Sequence, residues 1–221
     1  MTFRPISLAA GRSLDFGPAG GVMAILNVTP DSFSDGGRLA TPRDAVETGL
    51  RFAAAGAALL DVGGESTRPR GAAYGGGAGE VSANEELARV LPVVAGIRAA
   101  DPSIPISVDT RRVEVARRAL DAGADVVNLV AGLDPPDGLL ELVARTGAAI
   151  VLNHMRGDPS TTFAVSRLGP DVVADVAGDL ARARRLCLVA GLRPDRVLLD
   201  PGLGFGKDPD QNFALLGGLA L

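Results

Sequence analysis

Six apolar, β-branched runs in this sequence each stop at an amide or a carboxylate: Asn27 after VMAIL, Asp61 after AALL, Asp109 after IPISV, Asn128 after ADVV, Asn153 after AAIVL and Asp200 after RVLL. These side chains share one chemical use. An ionised Asp only accepts hydrogen bonds, whereas Asn both donates and accepts. Gathered around one opening, they would hold a flat heterocycle whose ring N–H and exocyclic amino groups meet a carboxylate two at a time. No Lys or Arg lies near Asp109, Asn128 or Asp200 within its own run. The guest must therefore supply the donors that make a buried carboxylate tolerable. A local use competes with this one: Asp109 could cap a helix at Arg111, and Asp200, before Pro201 and Gly202, could close a turn.

For the six residues to meet, the runs must be strands of one sheet. The spacing predicts strands over 22–27, 57–61, 104–109, 124–128, 148–153 and 196–200. Helical patterns follow over about 42–55, 84–100, 111–122, 139–145 and 170–190, with a last one starting in DQNFALLGGLAL. Thr41 before Pro42 suits a cap and first turn, and Thr110 and Gly123 suit the two ends of the third helix. Near-continuous apolar strands alternating with helices imply a parallel sheet covered on both faces. The first strand-to-helix turn, NVTPDSFSDGG, lacks the GxGxxG expected of a dinucleotide-binding open sheet. A (β/α)8 barrel of TIM type is the better fit, and in such barrels the C-terminal strand ends converge on one mouth. The fold class expected is thus α/β, with about six of the eight βα units present. Residues 1–20 are expected to form a hairpin-like cap on the barrel floor and 21–221 the incomplete barrel.

Composition removes several other classes. The 221 residues are 47% hydrophobic, enough for one well-buried domain. A net charge of −4 without a basic block offers nothing to a nucleic acid backbone or an anionic membrane. No apolar stretch approaches the roughly 20 residues that span a bilayer, and no signal-peptide core is present, so the protein is expected in the cytoplasm. Cys187 is the single cysteine, expected as core filling. Lys207 is the one lysine among 22 basic residues, which singles out a compact ammonium where the chain otherwise uses planar guanidinium groups.

LNVTPDSFSDGG and LLDVGGESTRP, followed by SVDT, VVN, HM and LDPGLGFGK, resemble the signature segments of the dihydropteroate synthases in order and spacing, over essentially all of residues 5–221. The resemblance implies a pterin-binding barrel that condenses 6-hydroxymethyl-7,8-dihydropterin pyrophosphate with p-aminobenzoate, releasing pyrophosphate and forming dihydropteroate in folate biosynthesis. It also implies Mg2+, inhibition by sulfonamides and a homodimer. By position, Asp109, Asn128 and Asp200 resemble the pterin ligands, and Asn27 the magnesium ligand with Asp35 assisting. Thr67 and Arg68 resemble residues that handle pyrophosphate and fence the aminobenzoate, with Phe33, Pro69 and Phe205 as walls of that second subsite.

The sequence departs from the family pattern in several places. Leu129 and Val130 follow Asn128 where the family has an acid in NDxSG, Asn153 stands where a methionine usually packs on the pterin, and Arg70 replaces a common glycine. His154, the one histidine, is expected to be structural. The SRK and RVHD segments of the family's last two strands are missing, which leads to the expectation of a truncated, inactive chain with exposed edge strands. The alternatives to a synthase are a non-catalytic pterin-binding paralogue and a methyltetrahydrofolate-dependent methyltransferase.

Overall fold

A computed structural model describes residues 5–16, 20–29, 41–65, 81–130, 133–156 and 168–219. The chain opens with a two-stranded antiparallel hairpin, β1 (Ile6–Ser7) and β2 (Ser13–Leu14). Six βα units follow: β3 (Met23–Asn27) with α1 (Pro42–Ala54), β4 (Leu59–Gly63) with α2 (Ala83–Ala100), and β5 (Ile106–Asp109) with α3 (Val113–Asp121). The remaining three are β6 (Val126–Leu129) with α4 (Leu139–Thr146), β7 (Ala149–Asn153) with α5 (Val172–Val189), and β8 (Val197–Asp200) with α6 (Pro209–Gly218). The sheet is parallel throughout, in the order β3-β4-β5-β6-β7-β8.

Helix starts follow local chemistry. Thr41 Oγ1 accepts from the Asp44 amide, and Ser82 and Glu85 form a reciprocal capping box at α2. The third helix departs from expectation: it begins at Val113, and Thr110 Oγ1 instead accepts from the Arg112 amide, closing the turn before it.

The sheet has two different faces. Leu26, Leu60, Ile106, Val127, Ile150 and Leu152 point outward and pack with the helices in one large apolar cluster, which also takes in fully buried Cys187. Each such side chain removed from water stabilises the fold by about 1.5–3 kcal/mol. Residues of the opposite parity point inward. Leu59, Val126, Ala149 and Val151 form a second cluster with Leu8 and Leu14 of the hairpin, which therefore plugs one end of the sheet's inner face. Polar contacts reinforce the plug. Asp125, fully buried just before β6, receives Arg12 Nε and Arg98 Nη2, each at 2.7 Å, and the Ile106 amide at 3.0 Å. The apolar plug and this ion triad occupy the N-terminal strand ends, leaving the C-terminal ends for chemistry.

One strand runs differently from its sequence reading. Ala57 belongs to the turn after α1, its amide bonding to Phe52 O, and β4 continues through Val62 to Gly63. Asp61 therefore lies within β4 and not at its end.

Candidate active site at the strand ends

Register fixes the site. Asn27, Gly63, Asp109 and Asn128 are successive partners across β3, β4, β5 and β6, so all four lie in one row and face inward. A Cβ built on Gly63 would lie 3.5 Å from Asn27 Oδ1 and 3.6 Å from Asp109 Oδ2. The amide oxygen and the carboxylate thus look at each other across a position kept bare.

In an eight-stranded barrel of shear eight, a ring around the axis climbs about one residue per strand. From Asp61 on β4, that climb passes through Asn128 on β6 to Asp200 on β8. Asp109 and Asn153 interleave on β5 and β7. Two hydrogen bonds run along this arrangement: Asn128 Nδ2 donates to Asp61 Oδ2 at 2.9 Å, and Asn153 Nδ2 donates to Asp200 Oδ2 at 2.8 Å. Asp109, Asn128 and Asp200 are therefore brought together on one inner face. Asn153 spends its amide N–H on Asp200, which leaves its buried Oδ1 without a partner among the described residues.

Asp109 is partly open to the mouth but ringed by protein elsewhere. Its carboxyl is held well above the ordinary carboxylate range, first by desolvation and then by the negative charges of Asp61, Glu86 and Glu65. Asp61, 2% exposed, is raised as well, by desolvation that its hydrogen bonds partly offset. The Asp200 Oδ1 atom accepts from the Gly202 amide, so the predicted turn forms while Oδ2 remains on the Asn153 side.

The loop after β8 is organised by the single lysine. Lys207 Nζ donates to the carbonyls of Gly202 (2.8 Å), His154 (3.1 Å) and Phe205 (3.1 Å), a three-donor arrangement suited to an ammonium. Burial lowers its pKa to about 8, with Asp200 opposing the shift. Gly202 has φ +67°, and a Cβ there would collide with the His154 carbonyl, so the loop demands glycine. Phe205 is half-buried in it. His154 is 1% exposed, with Nε2 3.2 Å from Asp179 Oδ2, and desolvation lowers its pKa. These contacts fit a structural histidine.

On the other side, Arg112 joins the two chain ends that flank residues 66–80. Its guanidinium bonds Glu65 at 2.6 Å, and also Glu86 and the Val81 carbonyl. Sequence reading missed Arg112, Glu86, Asp125 and the role of Asp61. Asp61 carried a signal, since it was one of the six run-ending residues, whereas the others pair over long separations. Asp35, Phe33, Thr67, Arg68 and Pro69 lie outside the described residues.

The model of the family described as pterin binding enzyme matches residues 23–220. The chain belongs to the pterin-binding enzymes. Within that family it is similar to the dihydropteroate synthase of Escherichia coli strain K12, 45% identical over 212 residues, which are 96% of this chain and 71% of that protein. Among solved structures, the Xanthomonas albilineans dihydropteroate synthase with 4-aminobenzoic acid superimposes with TM-score 0.83 at 44% identity, covering 99% of this chain and 73% of that one. The same organism's enzyme with 7,8-dihydropteroate gives 0.78 at 40%, covering 98% and 72%. The barrel class and the synthase resemblance are borne out. The similarity runs over nearly all of this chain and about seven-tenths of its relatives' length, and the expected exposed edges are present among the described residues, at β3 and β8. No helix among the described residues is long and apolar enough to cross a membrane.

Proposed function

We propose that this pterin-binding chain is a dihydropteroate synthase, joining 6-hydroxymethyl-7,8-dihydropterin pyrophosphate to p-aminobenzoate in folate biosynthesis. One observation carries the reading. Asp109 faces the mouth with no hydrogen-bond donor among the described residues, and burial first, then three neighbouring carboxylates, push its pKa up. In its ionised form such a group is relieved by a guest that brings N–H donors or positive charge.

The chemistry follows from that placement. The bond from the exocyclic methylene to the pyrophosphate oxygen breaks, and its electron pair leaves with pyrophosphate. Ring nitrogens delocalise the positive charge left on the methylene, and ionised Asp109 stabilises that charge most as it develops. The arylamine nitrogen then forms the new C–N bond and loses a proton to solvent. Asn128, Asp200 and Asn153 orient the ring. Thr67 and Arg68 handle the pyrophosphate, with Phe33, Pro69 and Phe205 beside the aminobenzoate.

The donor set also suits Mg2+, which takes hard oxygen ligands and completes its shell with water and substrate phosphates. Asn27 would hold the ion through the Oδ1 that faces Asp109 across Gly63, with Asp35 assisting. When bound, the ion neutralises charge on the leaving pyrophosphate. As domain division we place the cap at 1–20 and the barrel at 21–221. The cap's basis is the packing of Leu8 and Leu14 on the inner face.

The test is formation of dihydropteroate from the two substrates by the purified chain, with and without a sulfonamide. Sulfonamide-sensitive product supports the assignment. Pterin binding without pyrophosphate release would select the non-catalytic reading instead.

A further inference from the structure

We propose that Asp61 is a specificity-determining positioning residue: it locks the Asn128 amide so that its oxygen, and not its nitrogen, is presented to the guest. The proposal rests on the pterin-binding reading of the mouth and names how one edge of the ring is selected.

An asparagine amide can sit either way round, and its oxygen and nitrogen exchange places at little cost unless a neighbour distinguishes them. Asp61 does so. Its Oδ2 lies 2.9 Å from Asn128 Nδ2, both residues are buried, and an ionised carboxylate can accept from the nitrogen but has nothing to donate to the oxygen. With the flip fixed, Asn128 Oδ1 is the acceptor left for a ligand, and it demands an N–H at that point. Asp61 is one inward step before Gly63 on β4 and two strands from Asn128, so it holds the amide from the side, across β5, without occupying the Gly63 position. Gly63, the next inward residue of β4, adds no side chain above it, and a Cβ there would touch Asn27 Oδ1 and Asp109.

An isosteric variant separates this role from mere support. In Asp61→Asn the side chain at 61 can both donate and accept, so Asn128 is no longer held one way round, while shape and burial are kept. Two probes are measured by calorimetry: 6-hydroxymethylpterin, and its analogue with the 2-amino group replaced by methyl, which removes N–H donors at nearly constant size. The wild-type chain should favour the first. Asp61→Asn should lower that preference about tenfold, the worth of one buried hydrogen bond lost in discrimination. In an Asn128→Ala background the same substitution should change the preference no further.

An unchanged preference in Asp61→Asn, with both affinities falling together, would make Asp61 a structural prop and overturn the proposal. So would a full effect of Asp61→Asn in the Asn128→Ala background. If the wild-type chain binds neither probe, the pterin reading itself fails and takes this inference with it.

Discussion

Replacing Asp109 by Asn should make the protein more stable and nearly inactive, and the two effects have one electrostatic origin. The wild-type carboxyl is raised by burial and by the charges of Asp61, Glu86 and Glu65. A carboxyl whose folded pKa exceeds its unfolded value adds stability below the unfolded value. That contribution is lost as pH rises through the folded value. As pH rises above the unfolded value, the folded apo-protein loses stability at Asp109 that the isosteric, non-titrating amide keeps. Water reaching Asp109 through the mouth screens the repulsion, so the gain is set at about 1 kcal/mol, the usual size for relaxing a functional site. For a chain of this length that is about 2–4 °C in Tm. Melts followed by circular dichroism at pH 8 and pH 4 should show the variant ahead at pH 8 and level at pH 4. Turnover in the same preparation should fall about 10²–10³-fold, the effect of deleting one preorganised electrostatic group. A variant that melts below the wild type at pH 8 would refute the reasoning, because the carboxylate would then have a stabilising partner inside the fold. Near-normal turnover would remove the cation argument.

Three other substitutions probe what surrounds the site. Gly63→Ala places a methyl in ordinary contact with Asn27 Oδ1 and Asp109. Thermal stability should hold within about 1 kcal/mol while pterin affinity drops about tenfold or more, read by calorimetry. Asp125→Ala strips the anion from Arg12 and Arg98 beneath the barrel and should cost about 3–5 kcal/mol in urea unfolding, as removal of one partner from a buried ion group does. Lys207→Met leaves the carbonyls of Gly202, His154 and Phe205 without their shared donor. Gly202 O keeps the Phe205 amide, but at about 1–3 kcal/mol for a buried carbonyl left unpaired, hydrogen exchange in residues 201–206 should rise sharply. Lys207→Arg should not restore protection, since a planar fork cannot serve three converging carbonyls.

The central strands were legible because both faces of β4 to β7 are covered. Inward and outward residues are then apolar along most of each strand, so each run stands out until it meets the polar residue at the mouth. Asp109, Asn128, Asn153 and Asp200 end their strands or lie one residue short of the end, as read. β4 misled for a physical reason. Its last residues are Val62 and Gly63, and a strand that ends in glycine resembles the start of a loop, so Asp61 looked terminal when it is one inward step deeper. That small slip hid its bond to Asn128. Lys207 showed only as an isolated ammonium among guanidinium groups. Its partners, three backbone carbonyls from two loops, leave no trace in side-chain spacing.

The polar framework below and beside the mouth could not have been read at all, and this explains how the two faces divide their work. Arg12 finds Asp125 across 113 positions, and Arg112 finds Glu65 across 47. No local periodicity encodes such pairs, which form only after the outward apolar residues have closed the sheet. Arg12, Arg98 and Arg112 satisfy carboxylates at the floor and flank, whereas Asp109 at the mouth is left without a donor among the described residues. Had one of these guanidinium groups reached Asp109, the chain would gain stability and lose its demand for a donor-rich guest. Among the described residues, the separation of these guanidinium groups from Asp109 is thus what leaves the mouth able to bind a guest.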